Sequence, residues 1–288
     1  MSVTTRIQEL NNRLATNLVS KGVAAEGTET TTELINKVNY IESGGTSVIN
    51  PEWTDWRYFS YYDNRNDLVA KLKYSDTANG KNFSNMFYAC SSLTSIPQLD
   101  TSNGTNFSYM FSNCNTLTSV PQLNTSNGTN FSYMFNYCKA LTTIPQLDTS
   151  NGTSFSYMFN YCKALTTIPQ LDTSNGTNFT LMFYNCTALT SIPLLNMSSM
   201  SSTSWSGMFG SCTALENVTF EGTIPVRGNM SVFSSCPNLT VDSLMSFINA
   251  LTNMNSSATY TITIGSTNLA KLTEEQIQIA TDKRITLQ

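Results

Sequence analysis

The sequence predicts an α+β solenoid of seven units of about 24 residues, with a short helical segment before the array and an α/β cap after it. Three observations predict it. Residues 100–123, 124–147, 148–171 and 172–195 align without gaps, and the stretch 131–153 recurs unchanged at 155–177. Cys90, Cys114, Cys138, Cys162, Cys186, Cys212 and Cys236 are spaced 24, 24, 24, 24, 26 and 24, so the cysteines share one slot of the repeat. A unit this short cannot bury its own apolar face, so it stacks on its neighbours. The sixth unit carries a two-residue insertion around Met197–Thr203, and the seventh has Val232-Phe233 where the others have Met-Phe.

Within one unit, Phe131, Met134, Phe135 and Cys138 lie at i, i+3, i+4 and i+7, which predicts a short helix with one buried face. Leu141, Ile144 and Leu147 follow at strand-like spacing. Pro97, Pro121, Pro145, Pro169 and Pro193 recur in that slot and remove a ladder donor, so the strand is expected to be only two or three residues long. Asp148-Thr-Ser-Asn-Gly152 then makes a turn, in which Asn-Gly supports positive φ.

The ends differ in kind. Val3, Ile7, Leu10, Leu14 and Leu18 approximate two heptads, and a capping-box pattern at Thr30 and Glu33 opens a second helical stretch. Residues 1–42 are therefore read as a helical attachment or oligomerisation segment and 43–50 as a linker. In 51–80, Trp53, Trp56, Tyr58, Phe59, Tyr61 and Tyr62 crowd together as an aromatic cap over the open core of the array, 81–240. For 241–288 the expectation is an α/β cap. It comprises a helix over Asp242–Leu251, a strand at Tyr260, Ile262 and Ile264, a capping box at Thr273 and Gln276 opening a helix to about Thr281, and a last strand at Ile285 and Leu287.

Composition narrows the function. Net charge is −4 and only 12% of residues are charged, which leaves no basic footprint for nucleic acid. No apolar run approaches the ~20 residues of a membrane span, so no membrane insertion is expected. The start MSVTTRIQELNNRL shows no secretory pattern. With no histidine, no nucleophile–base pair and no phosphate loop, neither catalysis, a cofactor nor a metal is expected. Cysteines on the apolar face read as reduced core thiols. Asn103, Asn127, Asn151 and Asn175 match a glycosylation sequon, but turn chemistry accounts for them. The column Asp100, Asn124, Asp148, Asp172 and Asn196 reads as turn capping, since one carboxylate per unit is too few for calcium.

If the segment is helical, the buried slots force Tyr133 and Tyr137 outward, with Tyr157 and Tyr161 one unit on and Tyr109 one unit before. These five rings are the first candidate ligand-binding surface, suited to flat sugar faces or to protein partners; mutual packing is the competing account. The alternative is a polar concave strand face formed by Thr143, Gln146, Thr167 and Gln170, which could hold a repetitive ligand by avidity.

The unit MF-x-x-C-x-x-L-T-x-I-P-x-L-D-T-S resembles the BspA-type leucine-rich repeats, also grouped as a domain of unknown function in mycoplasma surface proteins, over about 75–240. The departure is Ile-Pro in place of a more strand-like pair. The two ends, MSVTTRIQELNNRL…ELINKVNYI and TITIGSTNLAKLTEEQIQIATDKRITL, resemble segments of tail-associated proteins of phages and prophages of Gram-positive bacteria. Together these imply a leucine-rich-repeat rod in a virion tail or baseplate, assembled in the host cytoplasm. It would contact a host cell-surface glycan or protein and join other tail proteins, or a copy of itself, through residues 1–42. The first alternative is a BspA-like adhesin on a bacterial cell surface; the second is a glycan-active enzyme with a Glu/Asp pair, which the sparse carboxylates of the array disfavour.

Overall fold

A computed structural model describes residues 55–56, 69, 72, 74–200, 204–253 and 257–288. The expected helices of 1–42, the linker at 43–50 and all of the aromatic cluster except Trp56 lie outside the described residues.

The array is a stack of coils joined by parallel main-chain bridges. Asp55, Asn82, Asn106, Asn130, Ser154 and Asn178 form one such line, each bridged to the next. Around it, alternate amides leave the coil. The N–H groups of Phe131, Tyr133, Phe135 and Tyr137 donate to the carbonyls of Ser154, Ser156, Met158 and Asn160 in the next coil, at 3.0, 2.9, 2.9 and 2.7 Å. The intervening N–H groups of Met134, Asn136 and Cys138 donate three residues back, at 3.2, 3.1 and 3.0 Å.

This corrects the expected short helix. Tyr133 and Tyr137 sit at φ of 60° and 59°, in the left-handed region, so the segment is a run of tight turns. The amides that an α-helix would spend four residues back instead bind the neighbouring coil. The burial spacing survives without the helix: Phe131, Met134, Phe135 and Cys138 are all fully buried. Two phenylalanine ladders fill the core. Phe83, Phe107, Phe131, Phe155 and Phe179 stack with centroids 5.6 to 5.8 Å apart. Phe87, Phe111, Phe135, Phe159, Phe183 and Phe209 do the same at 5.4 to 6.1 Å.

The strand slot is also less regular than a ladder. Only at its C-terminal end does it form strands, β1 (Ser191–Asn196) and β2 (Asn217–Glu221), which pair in parallel with a register shift between Ile192 and Leu195. In earlier coils a side chain makes good the donor that proline lacks. Gln122 Nε2 donates to the Gln146 carbonyl at 2.6 Å, Gln146 Nε2 to Gln170 at 2.6 Å and Gln170 Nε2 to Leu194 at 2.8 Å; Gln98 makes the same bond to Gln122.

The turn is held within and between coils. Ser150 donates its N–H and hydroxyl to Asp148 Oδ1 at 3.1 and 2.7 Å, and Asn151 Nδ2 donates to the Ser126 carbonyl at 2.8 Å. These Ser150 bonds hold the Asp148 carboxyl below its ordinary range, as the turn-capping reading expects. Gly152 is not at positive φ, which corrects the expectation for Asn-Gly. The glycine is there for space: a Cβ on it would lie 2.5 Å from Phe155 Cζ and 2.9 Å from the Thr149 carbonyl oxygen.

Among the described residues the stack begins at Asp55 and Trp56. Trp56 donates its N–H to the Asn82 carbonyl and is 1% exposed, so it takes the place of a core phenylalanine one level before Phe83. At the other end, α1 (Val241–Ala250) is capped by Thr240, whose side chain accepts from the Ser243 N–H. The short α2 (Ser266–Leu269) buries Asn268, whose Nδ2 donates to the carbonyls of Phe233, Cys236 and Ile264. The predicted capping box is present in α3 (Glu274–Asp282), between Thr273 and Gln276. Strands β3 (Ile224–Val226) and β5 (Leu251–Asn253) pair in parallel, and β6 (Tyr260–Thr263) runs parallel between β4 (Met230–Ser231) and β7 (Ile285–Leu287).

Candidate functional site

The predicted tyrosines come together as two ladders. Tyr109, Tyr133 and Tyr157 stack face to face with centroids 4.3 Å apart and planes within 8°. Tyr137 and Tyr161 form a second stack, 4.4 Å apart at 8°. All five are half-buried. Desolvation, with the phenols of Tyr109 and Tyr157 on either side, pushes Tyr133 well above the usual phenol range; Tyr137 shifts the same way through desolvation and the Tyr161 phenol. Tyr133 and Tyr137 therefore present neutral hydroxyls at neutral pH. Stacking covers the faces between neighbouring rings and leaves the outer faces of the end rings outside it. Between those ends, ring edges and hydroxyls are what the ladders offer.

The backbone beneath them is unusual. Tyr109, Tyr133, Tyr137, Tyr157 and Tyr161 all have φ between 58° and 61°. The same two slots in other coils hold Asn85, Ala89, Asn113, Leu181, Asn185, Gly207 and Ser211, also at positive φ. Asparagine and glycine suit this conformation, whereas a bulky side chain there costs about 1–2 kcal/mol. Ring stacking returns about 0.5–1.5 kcal/mol. The two nearly cancel, so the fold does not require tyrosine in either slot.

Sequence reasoning missed two members of this surface. Tyr88 packs against Tyr109 at 6.2 Å and Tyr184 against Tyr161 at 5.7 Å, both tilted. They come from another slot, two residues before Cys90 and Cys186, so a search down the tyrosine column passes over them. Lys139 and Lys163 sit beside the second ladder, with Nζ 5.6 Å from the Tyr137 centroid and 5.7 Å from that of Tyr161.

The alternative surface is accessible but partly committed. Thr143, Gln146, Thr167 and Gln170 are exposed, yet the Gln146 and Gln170 amides are held by main-chain carbonyls of the next coil and by their own neighbours Leu147 and Leu171. These glutamines mend the backbone ladder.

None of the seven cysteines is in a disulfide, and all seven are buried. From Cys114 on, each donates to a phenylalanine carbonyl in the preceding coil, as Cys138 Sγ does to Phe111 at 3.1 Å and Cys162 Sγ to Phe135 at 3.0 Å. Burial pushes up the ionisation of Cys114, Cys138, Cys162 and Cys186, that of Cys186 to about 12. The sequon asparagines are exposed and bonded to the preceding coil, as Asn127 is to the Ser102 carbonyl. Among the described residues no group of three or more His, Cys, Asp or Glu side chains could hold a metal ion, and no helix is long and apolar enough to cross a membrane.

Stacked coils with an apolar column per slot define a repeat-solenoid protein of the leucine-rich kind. A family model described as "Mycoplasma protein of unknown function, DUF285" matches residues 57–165 and 118–222, which together span more than half of the chain. The chain belongs to that family. A model described as "BspA type Leucine rich repeat region (6 copies)" matches residues 180–278, including much of the C-terminal cap. No curated protein matches the chain.

Proposed function

We propose that the protein is a non-enzymatic binding protein of the surface-adhesion type, whose rod displays the tyrosine ladders as its recognition surface. The observation that carries this is the use of tyrosine five times in left-handed slots that other coils fill with Asn85, Asn113, Asn185 and Gly207, or with Ala89, Leu181 and Ser211. Residues kept against backbone preference concentrate at functional sites. The match to BspA-type repeats supports adhesion. The narrower reading, a virion tail or baseplate component attached through residues 1–42, is the alternative within this proposal. The test compares Tyr133→Asn with Tyr157→Asn against Thr143→Glu with Thr167→Glu, scored by binding of labelled protein to a panel of bacterial and animal cells. Selective loss in the tyrosine pair supports the proposal. Loss only in the threonine pair moves recognition to the strand slot.

A further inference from the structure

Resting on that reading of the tyrosine surface, we propose that its ligand is an acidic polysaccharide, gripped where Tyr137 and Tyr161 meet Lys139 and Lys163. The two lysines are exposed and stand one coil apart, each beside a ring of the same stacked pair. Neither has a carboxylate partner among the described residues. The carboxylates of these two units are already engaged, Asp148 by Ser150 and Asp172 by Ser174. Elsewhere this slot is neutral, with Ser91, Asn115, Thr187 and Thr213. Unpaired like charges on adjacent levels oppose folding slightly, so the fold gives no reason for them. They occur only in the third and fourth units, the same two that carry tyrosine in the slot of Tyr137.

The chemistry of the ligand follows from what the surface exposes. The faces between neighbouring rings are covered at 4.3 and 4.4 Å, which leaves only the outer faces of the end rings for stacking of nucleobases or of neutral sugars. What remains is a row of phenol hydroxyls and two ammonium groups, all able to donate to carboxylate or sulfate oxygens. Because residues 131–153 and 155–177 are identical, the same donor set is presented twice in one register. A polymer of identical acidic units can fill both sets at once, and the second contact is then intramolecular. A folded acidic protein surface has no such regularity.

Titration calorimetry on the full chain tests this with polygalacturonate as carboxylate probe, heparin as sulfate probe and dextran as neutral control. The expected result is binding of an acidic probe and not of dextran, weakened several-fold between about 50 and about 300 mM salt. Lys139→Gln with Lys163→Gln should lower the affinity at least about tenfold, since charge-assisted bonds are lost, with the thermal midpoint unchanged. Equal affinity in the glutamine variant, equal binding of dextran, or preferential binding of single-stranded nucleic acid would each overturn the inference. If neither acidic probe binds while cell binding still depends on the tyrosines, the anionic-ligand inference fails and the recognition surface stands.

Discussion

Single residues in this array are chosen by the layer above or below as much as by their neighbours in sequence. Gly128 shows this: a Cβ there would sit 2.5 Å from Phe131 Cζ, 2.9 Å from the Thr125 carbonyl oxygen and 3.1 Å from Phe107 Cδ2 of the preceding coil. Gly128→Ala should therefore destabilise the protein by about 1–3 kcal/mol, the usual cost of overpacking, read as a shift in the urea midpoint. Gln146→Met should cost about 0.5–1.5 kcal/mol, because the exposed Gln170 carbonyl exchanges its inter-coil donor for water while the hydrophobic stem is kept. The thiols give a pH signature. An unfolded thiol ionises near 9, whereas burial raises Cys186 to about 12. Above the unfolded value the unfolded chain has released protons that the folded chain retains, so stability falls as pH rises. The contribution of Cys186 is fully present below about pH 9 and is lost progressively towards pH 12. Urea unfolding at rising pH should show that decline, and native protein should resist thiol alkylation until it is unfolded.

At the scale of the coil, the apolar pattern was legible in the sequence and the backbone was not. The slots of Phe131, Met134, Phe135 and Cys138 were read correctly as buried, but their spacing fits a helix and a run of left-handed turns equally well. The discriminating signal runs down the columns. Asn85, Asn113, Asn185 and Gly207 occupy the two slots where a helix has no use for asparagine or glycine and a left-handed residue does. The glutamine repair of the proline gap was hidden for a similar reason: it needs the partner coil to be seen. The C-terminal cap was legible because its signals are local, such as the Thr273–Gln276 capping box of α3. Since coils are stabilised by neighbours, damage should spread. Phe135→Ala removes the middle of a ladder that touches Phe111 and Phe159. It should cost about 3–5 kcal/mol. Hydrogen exchange should rise at the amides of Phe111 and Phe159 as well as at the mutated coil; a rise confined to the mutated coil would contradict stacking as the source of stability.

Taken as a whole molecule, the rod on the proposed reading separates stability from recognition. Its interior columns are nearly invariant from coil to coil, while the two outward left-handed slots vary between Asn, Ala, Gly, Ser, Leu and Tyr. Tyrosine is concentrated in the central coils and flanked by Tyr88 and Tyr184. The most direct measurement is a side-by-side determination of thermal midpoint and cell binding for the combined variant Tyr133→Asn, Tyr137→Asn, Tyr157→Asn and Tyr161→Asn. Relief of left-handed backbone cost and loss of ring stacking nearly cancel, so the account predicts a stability within about 2 kcal/mol of the parent and loss of binding. A variant that unfolds, or one that folds and binds as the parent does, would contradict it.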